Sequence, residues 1–332
     1  MSHSTLKALK QKNVLPEVIA SSLELNGNAQ KELFEYARIM RKKHFIDDKV
    51  EVRSVIEVSN ICSQNCKYCN MGNKRNIENY MLSRSSIINL IEHIYSKKRR
   101  FILLQSGENA EQSFIETVSR AIHDIKKKYE DIIIILCLGS LSREQYLQLK
   151  KAGADRYILK FETSNSKLFE QIKPNDSFNR RMQCLEDLFY VGFEVGSGNI
   201  IGLPGQTNED IVNDLVLVRK YNLSMNSATV FIPAENSEFK DKPCGDINKT
   251  LNAMALMRIM NPHRLMPTTS SLEKIAKDGQ LMGLQAGANT VTVHDGTPQE
   301  IKPLFPIYST SRVVPAKEHF MNIVEKANMR IS

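Results

Sequence analysis

From residue 52 onward, short β-branched runs alternate with amphipathic helical stretches, and this alternation narrows the fold more than any other feature of the chain. The runs lie at 52–58, 101–105, 132–138, 156–161, 194–201 and 227–232, with weaker ones near Leu265 and at 289–293. Helical patterns fill the gaps at 83–97, 112–129, 141–152, 178–191, 209–221 and 248–260. Repeated β-then-α units imply a parallel sheet with right-handed crossovers. About eight of them predict an α/β (βα) TIM-like barrel, full or nearly full. Residues 1 to 45 read as helices, with Ala29, Leu33, Tyr36 and Met40 at helical intervals. The chain thus divides into an N-terminal helical extension at 1–48, a barrel core at 49–235 and a C-terminal completion at 236–332.

In a barrel of this kind the chemistry sits where strands end. Directly after the first strand comes Cys62-Ser-Gln-Asn-Cys66-Lys-Tyr68-Cys69. Three thiolates from one tight loop can hold three irons of a 4Fe–4S cluster and leave the fourth iron open to a ligand. A structural zinc site needs a fourth ligand close by, and none is evident. Cys62, Cys66 and Cys69 are therefore the candidate metal ligands and the candidate catalytic centre. Cys137, Cys184 and Cys244 stand singly and do not form a disulfide framework, and a cluster loop needs reduced thiols.

Other strand ends carry polar motifs. Gln105-Ser106-Gly107-Glu108 follows the second strand, where glycine permits close backbone approach and a carboxylate can hold an ammonium group. The fourth strand ends in Phe161-Glu162-Thr163-Ser164-Asn165; Asn165 reads as a helix N-cap, while Glu162 faces the site. Arg181 could reach the same place with a fork suited to a carboxylate, or lie on the surface. The fifth strand runs into Ile200-Ile201-Gly202-Leu203-Pro204-Gly205-Gln206-Thr207, an ordered turn with Thr207 as a helix cap.

The cysteine spacing, with an aromatic before the third cysteine, resembles the radical S-adenosylmethionine (SAM) enzymes. More narrowly, Arg53-Ser-Val-Ile-Glu-Val-Ser-Asn60, Leu104-Gln-Ser-Gly-Glu108, Gly153-Ala-Asp-Arg-Tyr157, Glu162-Thr163 and Gly202-Leu-Pro-Gly-Gln-Thr207 resemble the biotin synthase-like branch. Within that branch they are similar to the FeFe-hydrogenase maturases of the HydE type. Arg264-Leu-Met-Pro267, Ser271-Leu-Glu273 and Ala286-Gly-Ala-Asn289 are equally similar to methylornithine synthases.

The resemblance implies a 4Fe–4S cluster and SAM as cofactors, and reductive cleavage of SAM to a 5′-deoxyadenosyl radical that takes hydrogen from a small substrate. It places Ser106, Gly107 and Glu108 at the SAM amino group, Glu162 and Arg181 at its polar end, and Ile201 and Tyr68 at the adenine. Tyr68 could instead shield the cluster. Arg53, Arg156, Thr269 and Ser270 match positions lining the maturase cavity, and arginines there would favour a carboxylate-bearing substrate. His294 could donate a proton or contact substrate, or simply cap its loop. The implied partners are a small-molecule substrate and an electron donor such as a flavodoxin or ferredoxin.

The chain also departs from its relatives. It lacks the asparagine-rich motif of biotin synthases and any second cysteine triplet, and no cysteine follows Cys244. One cluster is expected. A maturase-like or mutase-like reaction ranks ahead of sulfur insertion of the biotin synthase or divergent lipoyl synthase kind. A non-catalytic metal-binding interaction protein is the alternative of another class.

Composition narrows the setting. Of 332 residues, 42% are hydrophobic and 25% charged, an ordinary globular mix. The first thirteen residues lack an apolar signal core, and the longest apolar run is too short to span a bilayer. A cytoplasmic protein with no membrane partner is expected. The net charge of +8 comes with basic runs at 41–43, 97–100 and 126–128. They fall at helix ends and read as solvated caps rather than a nucleic-acid surface, which would interleave aromatics. The methionines between Met254 and Met266 read as helical core.

Overall fold

Most strands are followed by a helix that packs back onto the sheet, and the sheet curls until its ends meet. The computed structural model describes residues 8–9, 14–72, 77–308 and 317–332; the first part of the expected N-terminal extension, at 1–7 and 10–13, lies outside them. Helices α1 (Pro16–Leu23) and α2 (Gly27–His44) come first. The barrel then runs β1 (Lys49–Ser59), α3 (Arg84–Ser96), β2 (Phe101–Ser106), α4 (Gln112–Lys128), β3 (Ile133–Cys137), α5 (Arg143–Lys151) and β4 (Arg156–Ile158). It continues through α6 (Ser166–Ile172), α7 (Phe178–Val191), β5 (Glu194–Ile201), α8 (Asn208–Lys220), β6 (Met225–Val230) and α9 (Ile247–Met260). The last elements are β7 (Pro267–Thr268), α10 (Ser270–Ile275), α11 (Gly279–Gln285), β8 (Thr290–Val293), a 3-10 turn (Lys302–Leu304), α12 (Lys317–Lys326) and β9 (Arg330–Ile331).

The strand order is β6-β5-β4-β3-β2-β1-β8-β7, with every ladder parallel, as the sequence predicts. Between β6 and β7 the ring closes by one bridge, in which Leu265 exchanges two hydrogen bonds with Ser224 and Asn226. Strand β9 adds to the start of β1 from outside. Period-two alternation divides the side chains. Val52, Ile56, Ile102, Leu104, Ile134 and Leu136 pack outward against the helices, while Val55, Leu103 and Ile135 form a small inner layer.

Several local readings meet the structure directly. Asn165 caps α6 by accepting from Leu168 N–H at 3.1 Å, and Thr207 with Asp210 forms a capping box on α8. Met254, Met257 and Met266 are fully buried core. The fourth strand is shorter than predicted, because beyond Ile158 the chain turns toward Glu162. The reading of the first basic run is corrected by Arg41, which is 1% exposed. Its guanidinium pairs with Asp48 at 2.7 Å and donates to the carbonyls of Leu284 and Ala288, fastening α2 to the barrel. No helix among the described residues is long and apolar enough to cross a membrane.

Candidate active site at the barrel mouth

The cysteine loop begins where β1 loses its ladder. The register slips between Glu57 and Ser59, and the chain then leaves the sheet. Neighbouring loops hold it from several sides. Ser63 N–H donates to Glu108 O at 2.9 Å, Lys67 N–H to Ile172 O at 2.9 Å, and Asn175 Nδ2 to Ser63 O at 3.1 Å. On the far side Ala234 N–H donates to Tyr68 O and Phe239 N–H to Lys67 O. The loop is a scaffolded turn rather than a free one.

Gly107 explains how close the second strand comes. A Cβ there would overlap Ile61 O and stand 2.7 Å from Cys62 Cβ. Gly139, at φ +82°, clears space for the Glu108 side chain in the same way. Ser106 turns its hydroxyl onto Gly107 O at 2.6 Å.

All three loop cysteines are free thiols. Burial pushes their pKa values up, so the apo loop holds neutral thiols and must release protons when it takes metal. Backbone N–H groups point at the sulfurs: Glu108 N at 3.4 Å from Cys62 Sγ and Met71 N at 3.3 Å from Cys69 Sγ. Three thiols from one loop can each bind one iron of a 4Fe–4S cluster, and the donor set fits that group by its chemistry.

Beside the loop lies a buried ionic quartet. Glu108 Oε1 accepts from Lys173 Nζ at 2.7 Å and from Arg181 Nη2 at 2.7 Å, and Arg181 also pairs with Asp176 at 2.7 Å. Burial alone would raise the Glu108 pKa, but the two cations outweigh it and hold the carboxyl well below its usual range. Burial opposes the charge on Arg181, yet Glu108 and Asp176 outweigh that and keep it charged. Arg181 is thus no surface arginine, and its fork lies on Glu108 and Asp176. Sequence reasoning missed Lys173 and Asp176. The signal was Lys173-Pro-Asn-Asp176 after a short helix, an ordinary turn composition.

Glu162 carries φ +65°, a left-handed conformation that few non-glycine residues adopt. Its backbone is fixed by Gly198 O and Ile200 N on β5. Its carboxylate pairs with Lys160 at 3.0 Å and lies 3.4 Å from the Tyr68 hydroxyl. Burial, then the charge of Glu162, raises the Tyr68 pKa well above its ordinary value.

Below the loop the barrel encloses a cavity of about 1150 Å³ lined by Arg53, Tyr68, Glu162, Thr269, Ser270 and His294 among others. Its wall at the fifth strand is Ile200; the Ile201 side chain belongs to the main core, so the adenine reading for Ile201 concerns its backbone alone. Arg156 is corrected too. As the first residue of β4 it stands at the end opposite the cysteines, bound to Glu51 and Glu194 at 2.8 Å each, and does not line the cavity. Arg53 shares Glu51 at 2.6 Å and does line the cavity. His294 Nδ1 lies 3.1 Å from the buried Glu57 carboxylate. The charged positions Glu51, Arg53 and Glu57 all share the odd register of β1, a signal of inward direction legible in the sequence. Cys137 and the exposed Cys244 both line the cavity, while Cys184 is buried in the outer layer.

Comparison with known proteins agrees with this geometry. Residues 56–218 match the radical SAM superfamily. The chain is 33% identical over 305 residues to the [FeFe] hydrogenase maturase subunit HydE of Thermotoga maritima, covering 91% of this chain and 86% of that protein. A biotin synthase of Staphylococcus haemolyticus is 26% identical over 81% of this chain and 86% of its own. Among solved structures, methylornithine synthase (PylB) superposes with a TM-score of 0.85 at 19% identity, covering 99% of this chain and 97% of that one. The hydrogenase maturase HydG from Carboxydothermus hydrogenoformans gives 0.81 at 17% identity, covering 98% and 78%. At those identities the superpositions speak for the fold alone. The relation to HydE speaks for more: this chain belongs to the radical SAM superfamily, enzymes that work with a 4Fe–4S cluster and SAM.

Proposed function

We propose that the cavity admits a small carboxylate-bearing substrate, from which this enzyme abstracts hydrogen in a maturase-like or amino-acid-mutase-like reaction. When bound and given one electron by an external donor, the cluster and SAM would supply a 5′-deoxyadenosyl radical. In this reading Cys62, Cys66 and Cys69 hold the cluster. Ser106, Gly107 and Glu108 border the SAM amino group, Glu162 and Arg181 its polar end, and Tyr68 closes the side facing the cavity. The barrel wall keeps water from the reacting atoms and fixes the substrate by its charged end.

The observation that carries the substrate class is Arg53. Its side chain is buried at the closed end of the cavity, and Nη2 has no hydrogen-bond partner among the described residues. A buried guanidinium with an open donor favours an anionic group that can complete its fork. Thr269, Ser270 and His294 offer hydrogen bonds higher on the same wall. Sulfur insertion is the second reading, favoured by the similarity to biotin synthase and by the Cys137 thiol on the cavity wall. It ranks lower because the other cysteines, Cys137 and Cys244 on the cavity wall among them, stand singly in the sequence and form no second triplet. The division at 1–48, 49–235 and 236–332, a flavodoxin or ferredoxin donor and a cytoplasmic site of action complete the proposal.

The test is anaerobic reconstitution with iron and sulfide, followed by dithionite and SAM. Formation of 5′-deoxyadenosine, lost in Cys66→Ala, supports the reading. A fully loaded cluster that leaves SAM intact would sink it.

A further inference from the structure

The segment between α6 and α7 grips the cysteine loop on both sides of Cys66. Ile172 O takes the N–H of Lys67, and Asn175 Nδ2 reaches Ser63 O. Between these two anchors sits Lys173, with a side chain 3% exposed and Nζ 2.7 Å from Glu108 Oε1. Glu108 in turn directs its own N–H at Cys62 Sγ. The ammonium group is therefore buried and bonded within one residue's reach of the cluster loop.

Its charge is maintained. Burial and Arg181 disfavour the ammonium form, but the Glu108 carboxylate, 2.7 Å away, favours it. Arg181 differs, since its fork answers two carboxylates at once and forms a nearly closed unit with Asp176. Lys173 has a single carboxylate within hydrogen-bond reach.

We propose that Lys173 sets the reduction potential of the cluster held by Cys62, Cys66 and Cys69, as a fixed buried cation that favours the added electron; this rests on reading the loop as a cluster site. Net charge, hydrogen bonds to sulfur and burial are what tune such a potential. Inside a protein a nearby charge acts through a low effective dielectric and is weakly screened by salt. One electron passes from an external donor to the oxidised cluster. No bond is made at Lys173 and no proton leaves it. Lys173 is a positioning residue for charge, not a group that touches the reacting atoms.

The experiment compares the full-length wild type with Lys173→Met and Lys173→Arg, each reconstituted anaerobically and assayed first for iron, sulfide and the cluster spectrum. A dithionite titration followed by electron paramagnetic resonance then gives the midpoint potential. In Lys173→Met reduction should become at least tenfold less favourable, which is about 59 mV more negative for one electron. Lys173→Arg should stay within about threefold of the wild type. Should Lys173→Met fail to load, Lys173→Gln takes its place in the comparison. A loaded neutral variant with the wild-type potential overturns the inference, and so does an equal fall in Lys173→Arg, which would mean lost packing rather than lost charge. A wild type that loads no 4Fe–4S cluster overturns the reading of the loop itself, at the earlier step.

Discussion

Asp214 on α8 accepts a hydrogen bond from the backbone N–H of Ser164 at 2.5 Å, two residues beyond Glu162. It also accepts from Asn199 Nδ2 at 2.9 Å, so one buried carboxyl ties the loop after β4 to strand β5. Burial, against those hydrogen bonds, raises its pKa to about 7. Unfolded, the group ionises near pH 3.9. From about pH 4 to about pH 7 the folded chain therefore keeps a proton that the unfolded chain has lost, and its stability falls as pH rises. Asp214→Asn should remove that slope. Asn199 Oδ1, which has no partner among the described residues, can turn to accept from the new amide. Urea denaturation at pH 5 and pH 8 checks this: the wild type should lose more stability between the two than the variant does.

Glu162 should trade stability for chemistry. A non-glycine residue in the left-handed region costs roughly 1–2 kcal/mol, and glycine there costs about 0.5–1 kcal/mol in unfolded-chain entropy. Glu162→Gly should therefore be more stable than Glu162→Gln, which keeps the strain, by about 1 kcal/mol. Both should lose SAM cleavage. Melting curves of the two variants side by side settle the first point and 5′-deoxyadenosine assays the second.

Gly107→Ala should leave the barrel folded but spoil the cysteine loop, because the methyl group meets Ile61 O, a backbone atom that cannot swing aside. The expected result is a wild-type circular dichroism spectrum with iron content after reconstitution at less than half the wild-type value. Full iron loading would count against the close approach of β2 to the loop.

Arg181→Leu leaves Asp176, with a fully buried side chain, short of its cation. Breaking a buried pair in this way costs about 3–5 kcal/mol. Removing Asp176 as well, as Asp176→Leu, should cost less than the sum of the two single changes. Additive losses in a double-mutant cycle would show that the pair is not coupled.

The barrel was legible because its evidence is periodic. Each β-branched run and each amphipathic helix declares itself locally, and eight repeats leave few arrangements open. The cysteine loop was legible for the same reason, with all its ligands within eight residues. What the sequence hid depends on direction and on distance along the chain. Ile200 and Ile201 are indistinguishable until the register says which one faces inward. Arg156 looked like a cavity residue because it lies near a strand end, but it is the wrong end. Lys173 meets Glu108 across 65 residues, and Arg41 meets Ala288 across 247. No local pattern reports such a meeting; only closure of the ring does.

That closure has its own consequence. Strands β5 and β6 are stitched over six register pairs, whereas β6 and β7 share the two hydrogen bonds of Leu265. The ring is therefore unevenly joined: two register pairs link β3 to β4 and β7 to β8, and the joint between β6 and β7 is thinner still. Widening at that joint breaks the fewest bonds. A wall that widens should therefore open first on the flank between β6 and β7, away from the loop contacts that hold the cysteines.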